Sequence, residues 1–187
     1  MTVLNVDGLY FTFPEEYSAS KYDEWSFYRK QFGRIGSGMK AVDLIAVSTD
    51  TAWVVEVKDY RAHRRTKPVD LAQEFANKVL HTLSALLPAK LNASEQSERD
   101  FAARVLASSH LRLVLHLEQP AKHSKLFPRA IDPATIKQTL KQKLRAIDPH
   151  LLVVEMGDMR GLPWSVADRL ASTGDSMNPG SGTHVRS

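Results

Sequence analysis

The chain has 187 residues, is 43% apolar and 25% charged, and carries a formal net charge of +4. That suits one globular domain with a real core, and the absence of cysteine excludes disulfides, thiolate nucleophiles and cysteine-ligated zinc. No apolar run approaches the roughly 18 residues of a membrane span, and no basic-then-apolar leader opens the chain, so no membrane and a reducing, cytoplasmic setting are expected.

Val3 to Phe13 places β-prone residues on both sides of Asp7-Gly8, which predicts a small hairpin ending at Pro14. From Tyr22 to Phe32 the spacing predicts a helix whose Trp25, Tyr28 and Phe32 form a core-facing aromatic side. Glu24 lies in its first turn, where an acid suits the helix dipole and could also reach a metal. Gly33 to Gly38 is a glycine-rich link; it lacks a P-loop's Gly-Lys-Ser/Thr ending and precedes a strand.

Ala41 to Arg61 is the centre of the chain. It reads as two apolar strands joined by a short polar turn. Strands this apolar are usually buried, so Asp43, Glu56 and Lys58 need an explanation. A two-residue turn at Thr49-Asp50, or a four-residue loop from Ser48 to Thr51, sets Asp43 directly opposite Glu56. Their Cβ atoms would then lie about 4.5–5.5 Å apart. An odd loop would send them to opposite faces. Lys58 shares the face of Glu56 because side chains alternate. Two like charges directly opposite are destabilising, and a bound cation would remove that cost.

Asp59 to Lys67 follows with four Lys/Arg. Arg61, Arg64, Arg65 and Lys67 are there the candidates to hold a nucleic-acid backbone. Pro68 suits a helix start, and Ala72, Phe75, Ala76, Val79, Leu83 and Leu86 form one stripe. Gln73 falls on its flank and could look into the site; Lys78, on the opposite flank, is the weaker candidate. Asn92 to Gln96 is expected as loop, Glu98 to Leu106 as helix and Leu111 to Leu117 as strand. His116 on that strand reads as a partly buried, hydrogen-bonded histidine rather than a ligand. A helix opened by Asp132-Pro133 runs to Arg145 and is basic through Lys137, Lys141, Lys143 and Arg145. Leu151 to Met156 is expected as a buried strand and Trp164 to Leu170 as a last short helix. Residues 1–170 make the domain, and 171–187 read as a disordered tail. The order predicts an α/β fold with a mixed sheet flanked by helices.

The histidines form no H-x-x-x-H or H-E-x-x-H pair, and there is no G-x-S-x-G or G-x-G-x-x-G. Asp43, Glu56 and Lys58 remain as the catalytic candidates. Two carboxylates can fix a divalent cation, and a lysine on the same face can stabilise developing charge on a phosphate.

Asp43 followed by Glu56-Val57-Lys58 resembles the PD-(D/E)xK nuclease superfamily, in particular its restriction-endonuclease-like and Holliday-junction-resolvase-like members. The likeness runs from Tyr22 to Leu87. It implies a restriction-endonuclease-like sheet and metal ligation by Asp43, Glu56 and the Val57 carbonyl, with a possible further acid in Glu24. Lys58 is then the catalytic lysine and Gln73 a supporting residue. Val42 replaces the motif's proline, and Asn77 stands where a Q-x-x-x-Y tyrosine would be, against a RecB-like branch. The expectation is therefore a Mg²⁺- or Mn²⁺-dependent nuclease hydrolysing phosphodiester bonds in DNA, as a homodimer or within a larger defence or repair complex. The alternatives are a nuclease-fold module that binds nucleic acid without cutting, and a protein-interaction module in which Lys58 merely neutralises the acids.

Overall fold

The computed structural model describes residues 1–62, 70–120 and 131–168. In chain order its strands and helices are β1 (Thr2–Val6), β2 (Leu9–Phe13), β3 (Ser18–Lys21), α1 (Ser26–Lys30), β4 (Leu44–Val47), β5 (Thr51–Asp59), α2 (Leu71–Asn92), α3 (Gln96–Ala107), β6 (His110–Glu118), α4 (Pro133–Leu144), β7 (Leu152–Val154) and β8 (Ser165–Ala167). Among the described residues no helix is long and apolar enough to cross a membrane.

The main sheet has five strands in the order β3-β4-β5-β6-β7. The β3-β4 and β4-β5 pairs are antiparallel, whereas β5-β6 and β6-β7 are parallel. Parallel neighbours need a crossover; α2 with α3 supplies the first and α4 the second. The sheet is thus mixed and flanked by helices, and the α/β class holds.

Alternation along β5 builds two cores. Val54 joins Phe75, Val79 and Leu86 of α2 on the helical face. Val55 and Val57 join Leu9, Phe11 and Phe13 of β2 and Trp164 on the other. That second face is covered by a three-stranded sheet, β1-β2-β8. Phe75 is fully buried at the centre of the α2 interface. Truncating it to alanine should cost about 3–5 kcal/mol, transfer and cavity terms together. The β1-β2 turn forms as its residues dictate, with Asp7 and Gly8 both at positive φ (50° and 87°).

Several elements differ from expectation. The helix expected over Tyr22 to Phe32 is broken into a 3-10 turn at Tyr22–Glu24, the short α1 and a second 3-10 turn at Phe32–Arg34. Buried Glu98 of α3 accepts from the Ser26 and Phe27 amides, which fixes a new helix start at that point. β3 was unexpected because Ser-Ala-Ser-Lys carries no apolar alternation; backbone pairing to β4 defines it. The segment after Trp164 forms β8 rather than a helix, since Val166 pairs with Phe11 of β2 and packs on the second core. α2 is capped by Asp70, which accepts from the Gln73 amide, and α3 starts within the stretch expected as loop. α4 keeps its expected cap: Asp132 accepts from the Ala134 and Thr135 amides, with Pro133 in first position.

Candidate functional site: a buried carboxylate–lysine cluster

The β4-β5 turn is even, as the site requires. Leu44 pairs with Val55 and Val47 with Ala52. The Ser48 amide donates to the Thr51 carbonyl at 3.0 Å, closing a two-residue turn. Asp43, one residue before β4, lies opposite the Glu56–Val57 step, and the Val57 amide donates to its Oδ2 at 2.6 Å. The approach to Asp43 is fixed from α2: the Val42 amide donates to Thr82 Oγ1 (3.1 Å) and the Lys40 amide to His81 Nδ1 (2.8 Å). The Asp43 carbonyl accepts from the Tyr22 amide at 2.9 Å.

Glu56 is fully buried on the helical face. Its Oε1 takes two ammonium groups, Lys58 Nζ at 2.5 Å and Lys78 Nζ at 2.6 Å. Lys78 also lies 3.7 Å from Asp43 Oδ1, and Lys58 3.6 Å from Glu74. The other Glu56 oxygen, Oε2, is buried without a hydrogen-bond partner. Burial, and then the charge of Asp43, push the Glu56 carboxyl up to about 7 against the pull of both lysines. Burial works against a charged Lys58, yet Glu56, Asp43 and Glu74 together hold its ammonium above the usual lysine range.

Lys78 is the residue that sequence reasoning underweighted. The expected stripe of α2 leaned towards Ala76 and Leu83. The buried set also contains Leu71, Thr82, Ala85 and Ala89. At about 100° per residue this centres the stripe near Phe75, Thr82 and Leu86 and leaves Lys78 only about 60° away. Gln73 is turned away, bonding Asn77 and Lys143 of α4. Glu74, four residues before Lys78, was the missed signal: an acid and a lysine together on the flank of an apolar stripe.

Glu24 does not join the cluster. It is half exposed and paired with Lys21 at 2.7 Å and Arg29 at 3.9 Å. The acid of this segment that points inward is Asp23, whose Oδ1 is buried without a partner. Its carboxyl is raised, first by burial and then by the charge of Asp43. Arg61 is held by Asp59, with Nη2 to Oδ2 at 2.7 Å, and reaches Asp168 at 3.7 Å. It is thus anchored to acids rather than free for a phosphate. Arg64, Arg65 and Lys67 lie outside the described residues. His116 is fully buried; its Nε2 lies 2.9 Å from Glu118 Oε1, whereas its Nδ1 is buried without a hydrogen-bond partner.

The donor set is all oxygen: the Asp43 and Glu56 carboxylates, with the Val57 carbonyl within the same step. That suits a hard divalent cation, and Glu56 Oε2 is the orphaned acceptor such an ion would satisfy. Among the described residues, however, no three carboxylates or imidazoles converge to hold an ion by themselves. The lysines already supply the positive charge that the acid pair demands.

In sequence, the chain is 29% identical over 211 aligned residues to a cysteine–tRNA ligase of Neisseria meningitidis, an alignment that takes in 89% of this chain. The chain spans 30% of the length of that ligase. No family model and no solved structure matches it. The similarity leads to a tRNA ligase, and it overturns the expectation of a metal-dependent nuclease, with its endonuclease and hydrolase reading. The geometry gives a physical reason in the same direction: Lys58 is spent on Glu56 and Glu74 instead of being turned towards an open position.

Proposed function

We propose that this chain is a tRNA-binding module that serves cysteine–tRNA ligation. One observation carries the reading: 29% identity along 89% of the chain to a protein named for joining cysteine to tRNA. As the chain matches 30% of that ligase, the role proposed is an accessory one within ligation, contributing to an enzyme's work by holding RNA.

The chemistry of the surface supports it. α4 carries Lys141 and Lys143, and Arg145 follows as its C-cap, all three in exposed positions. Lys137, on the same helix, is held below the usual lysine range, first by burial and then by Arg160 and Lys141. Like charges gathered this way favour a polyanion. Lys143 bonds Gln73, the neighbour along α2 of Glu74, which in turn contacts Lys58. Asp43, Glu56 and the Val57 carbonyl would hold Mg²⁺ or Mn²⁺ in the buried cluster. When bound, such an ion would offset the charge of the acid pair and offer coordination sites to phosphate oxygens. Asp43 and Glu56 would supply its oxygens, and Lys58 and Lys78 favour the ionised form of Glu56 against the burial that raises its carboxyl.

For the sheet we propose a restriction-endonuclease-like order, supported by an antiparallel pair followed by two parallel strands reached through helices; fold alone carries no activity.

Gel retardation of a tRNA by the full chain, with Mg²⁺ or chelator, tests the reading. Wild type should retard tRNA at low salt, and Lys141→Glu with Lys143→Glu should weaken it and flatten the salt dependence by about one unit per lost phosphate contact. Absence of retardation at low salt would sink the proposal.

A further inference from the structure

At the amino-terminal ends of β5 and β6 lies a cavity of about 480 Å³ that shares no lining residue with the carboxylate–lysine cluster. Thr51 and Trp53 of β5, His110 and Arg112 of β6, and residues 147–150 line it. That volume falls within the roughly 300–1,000 Å³ of small-molecule pockets. Trp53 and Arg112 are partners in the β5-β6 register, and the guanidinium carbon sits over the indole, 5.6 Å from its centroid. Arg112 Nη2 donates to the His150 carbonyl at 3.0 Å, and its Nε lies 3.4 Å from Asp148 Oδ2. An indole, a carbonyl and a carboxylate thus fix the guanidinium in place.

The lining decides what fits. Asp148 is buried and accepts from the Leu113 and His150 amides, each at 2.8 Å. It balances the charge of Arg112, so the cavity is a poor trap for a free phosphate. What it offers is a flat cation backed by an aromatic ring, with His110 and His150 exposed at the rim. Unpaired RNA bases stack on guanidinium planes and aromatic rings, and imidazoles can donate to or accept from a base edge. Two donors of the wall, Trp53 Nε1 and Arg112 Nε, are buried without a hydrogen-bond partner, and such groups need a reason beyond packing. The cavity also adjoins the basic end of α4. Arg145 is its exposed C-cap, and Ile147 is on the cavity wall. Their Cα atoms lie within about 8 Å, so an RNA backbone held at that end of α4 is beside the opening.

We propose that this cavity holds one unpaired base of the bound RNA, stacked on the Arg112 guanidinium, with His110 and His150 at its edge. This deepens the reading of the chain as a module that holds RNA, and it rests on that reading. Phosphate contacts on α4 supply affinity without regard to strandedness, whereas a base pocket admits only a nucleotide released from a duplex. The cavity therefore gives the module a preference for unpaired RNA.

The test is fluorescence anisotropy of the full chain with a labelled short single-stranded RNA and with an RNA duplex of equal phosphate content. Wild type should bind the single strand more tightly. Arg112→Gln keeps a donor for the His150 carbonyl and loses the flat cation. It should weaken single-strand binding about tenfold and leave duplex binding within about twofold. Unlabelled single strand should also quench the indole emission of wild type. Trp53→Phe keeps a ring, so it should still bind and yet lose most of that quench. Equal weakening of both RNAs in Arg112→Gln would overturn the base pocket, since the residue would then serve charge or folding alone. So would unchanged binding of both, or a full quench in Trp53→Phe. In each of those cases wild-type binding leaves the tRNA reading standing, whereas wild type that binds neither RNA would end both. Should thermal melting show that Arg112→Gln is unfolded, the rim variant His110→Ala, His150→Ala replaces it. The same selective loss is expected there, and unchanged single-strand binding would count against the pocket.

Discussion

Two buried acids sit on neighbouring strands, and they are treated in opposite ways. Glu118 of β6 is buried and hydrogen-bonded by neutral groups: His116 lies 2.9 Å from its Oε1, the Met156 amide donates to the same oxygen at 2.7 Å, and neither of its oxygens is among the buried atoms left without a partner. Burial raises it, yet those hydrogen bonds win and hold its carboxyl below the usual range. Glu56 of β5 is fully buried and poorly served: both lysines crowd Oε1, Oε2 has nothing, and its carboxyl rises to about 7. The Glu118 arrangement is what a fold does to stabilise a loop. Leaving a buried oxygen orphaned costs about 1–3 kcal/mol, and such costs persist mainly where a site has a use for them.

The sharpest break in this comparison comes from removing each acid. Glu56→Ala strands two largely buried ammonium groups and should cost about 3–5 kcal/mol in urea unfolding. Glu118→Ala leaves one amide and one imidazole nitrogen without a partner, and should cost about 1–3 kcal/mol. Equal losses would mean that the two acids are both simple structural partners.

pH separates them next. Glu56 has its folded value raised from 4.5 to about 7, so between those values the folded state binds more protons than the unfolded. Its contribution therefore falls as pH rises through that window, by at most about 3 kcal/mol. Glu118 is lowered, so its contribution is present above the ordinary carboxylate range and is lost as pH falls through its folded value. Urea midpoints from pH 4 to 8 should show the first trend in wild type, and Glu56→Gln should flatten it. A slope unchanged in Glu56→Gln would assign the trend to another group.

A smaller contrast lies along α2. Lys78→Met removes one of the two ammonium groups on Glu56 and should cost about 1–3 kcal/mol, whereas Gln73→Ala, whose partners are at the surface, should stay within about 0.5 kcal/mol. Thermal melts of the two variants decide this, and a larger loss at Gln73 would reverse the assignment of the site flank.

The legible and illegible parts of the chain divide along physical lines. The register of Asp43 and Glu56 could be read because a two-residue turn and strict alternation leave one answer. His116 could be read because a histidine within an apolar strand must find a partner. Lys78 could not, because a stripe read from Ala72 to Leu86 on apolar residues alone misses Thr82, which is buried and accepts from the Val42 amide. β3 and β8 owe their form to backbone pairing with distant strands, which leaves little trace in Ser-Ala-Ser-Lys or Ser-Val-Ala. The nuclease expectation rested on an acid-x-lysine step whose geometry formed as read. A step of that kind fixes where charge is placed and does not by itself fix what the charge does.

The central claim, a module that holds tRNA, is tested most directly by competition. Labelled tRNA bound to the full chain at low salt is challenged with unlabelled tRNA or with duplex DNA of equal phosphate content. The account predicts that tRNA displaces the label at lower concentration than duplex DNA does. Equal displacement by both, or no complex to displace, would contradict it.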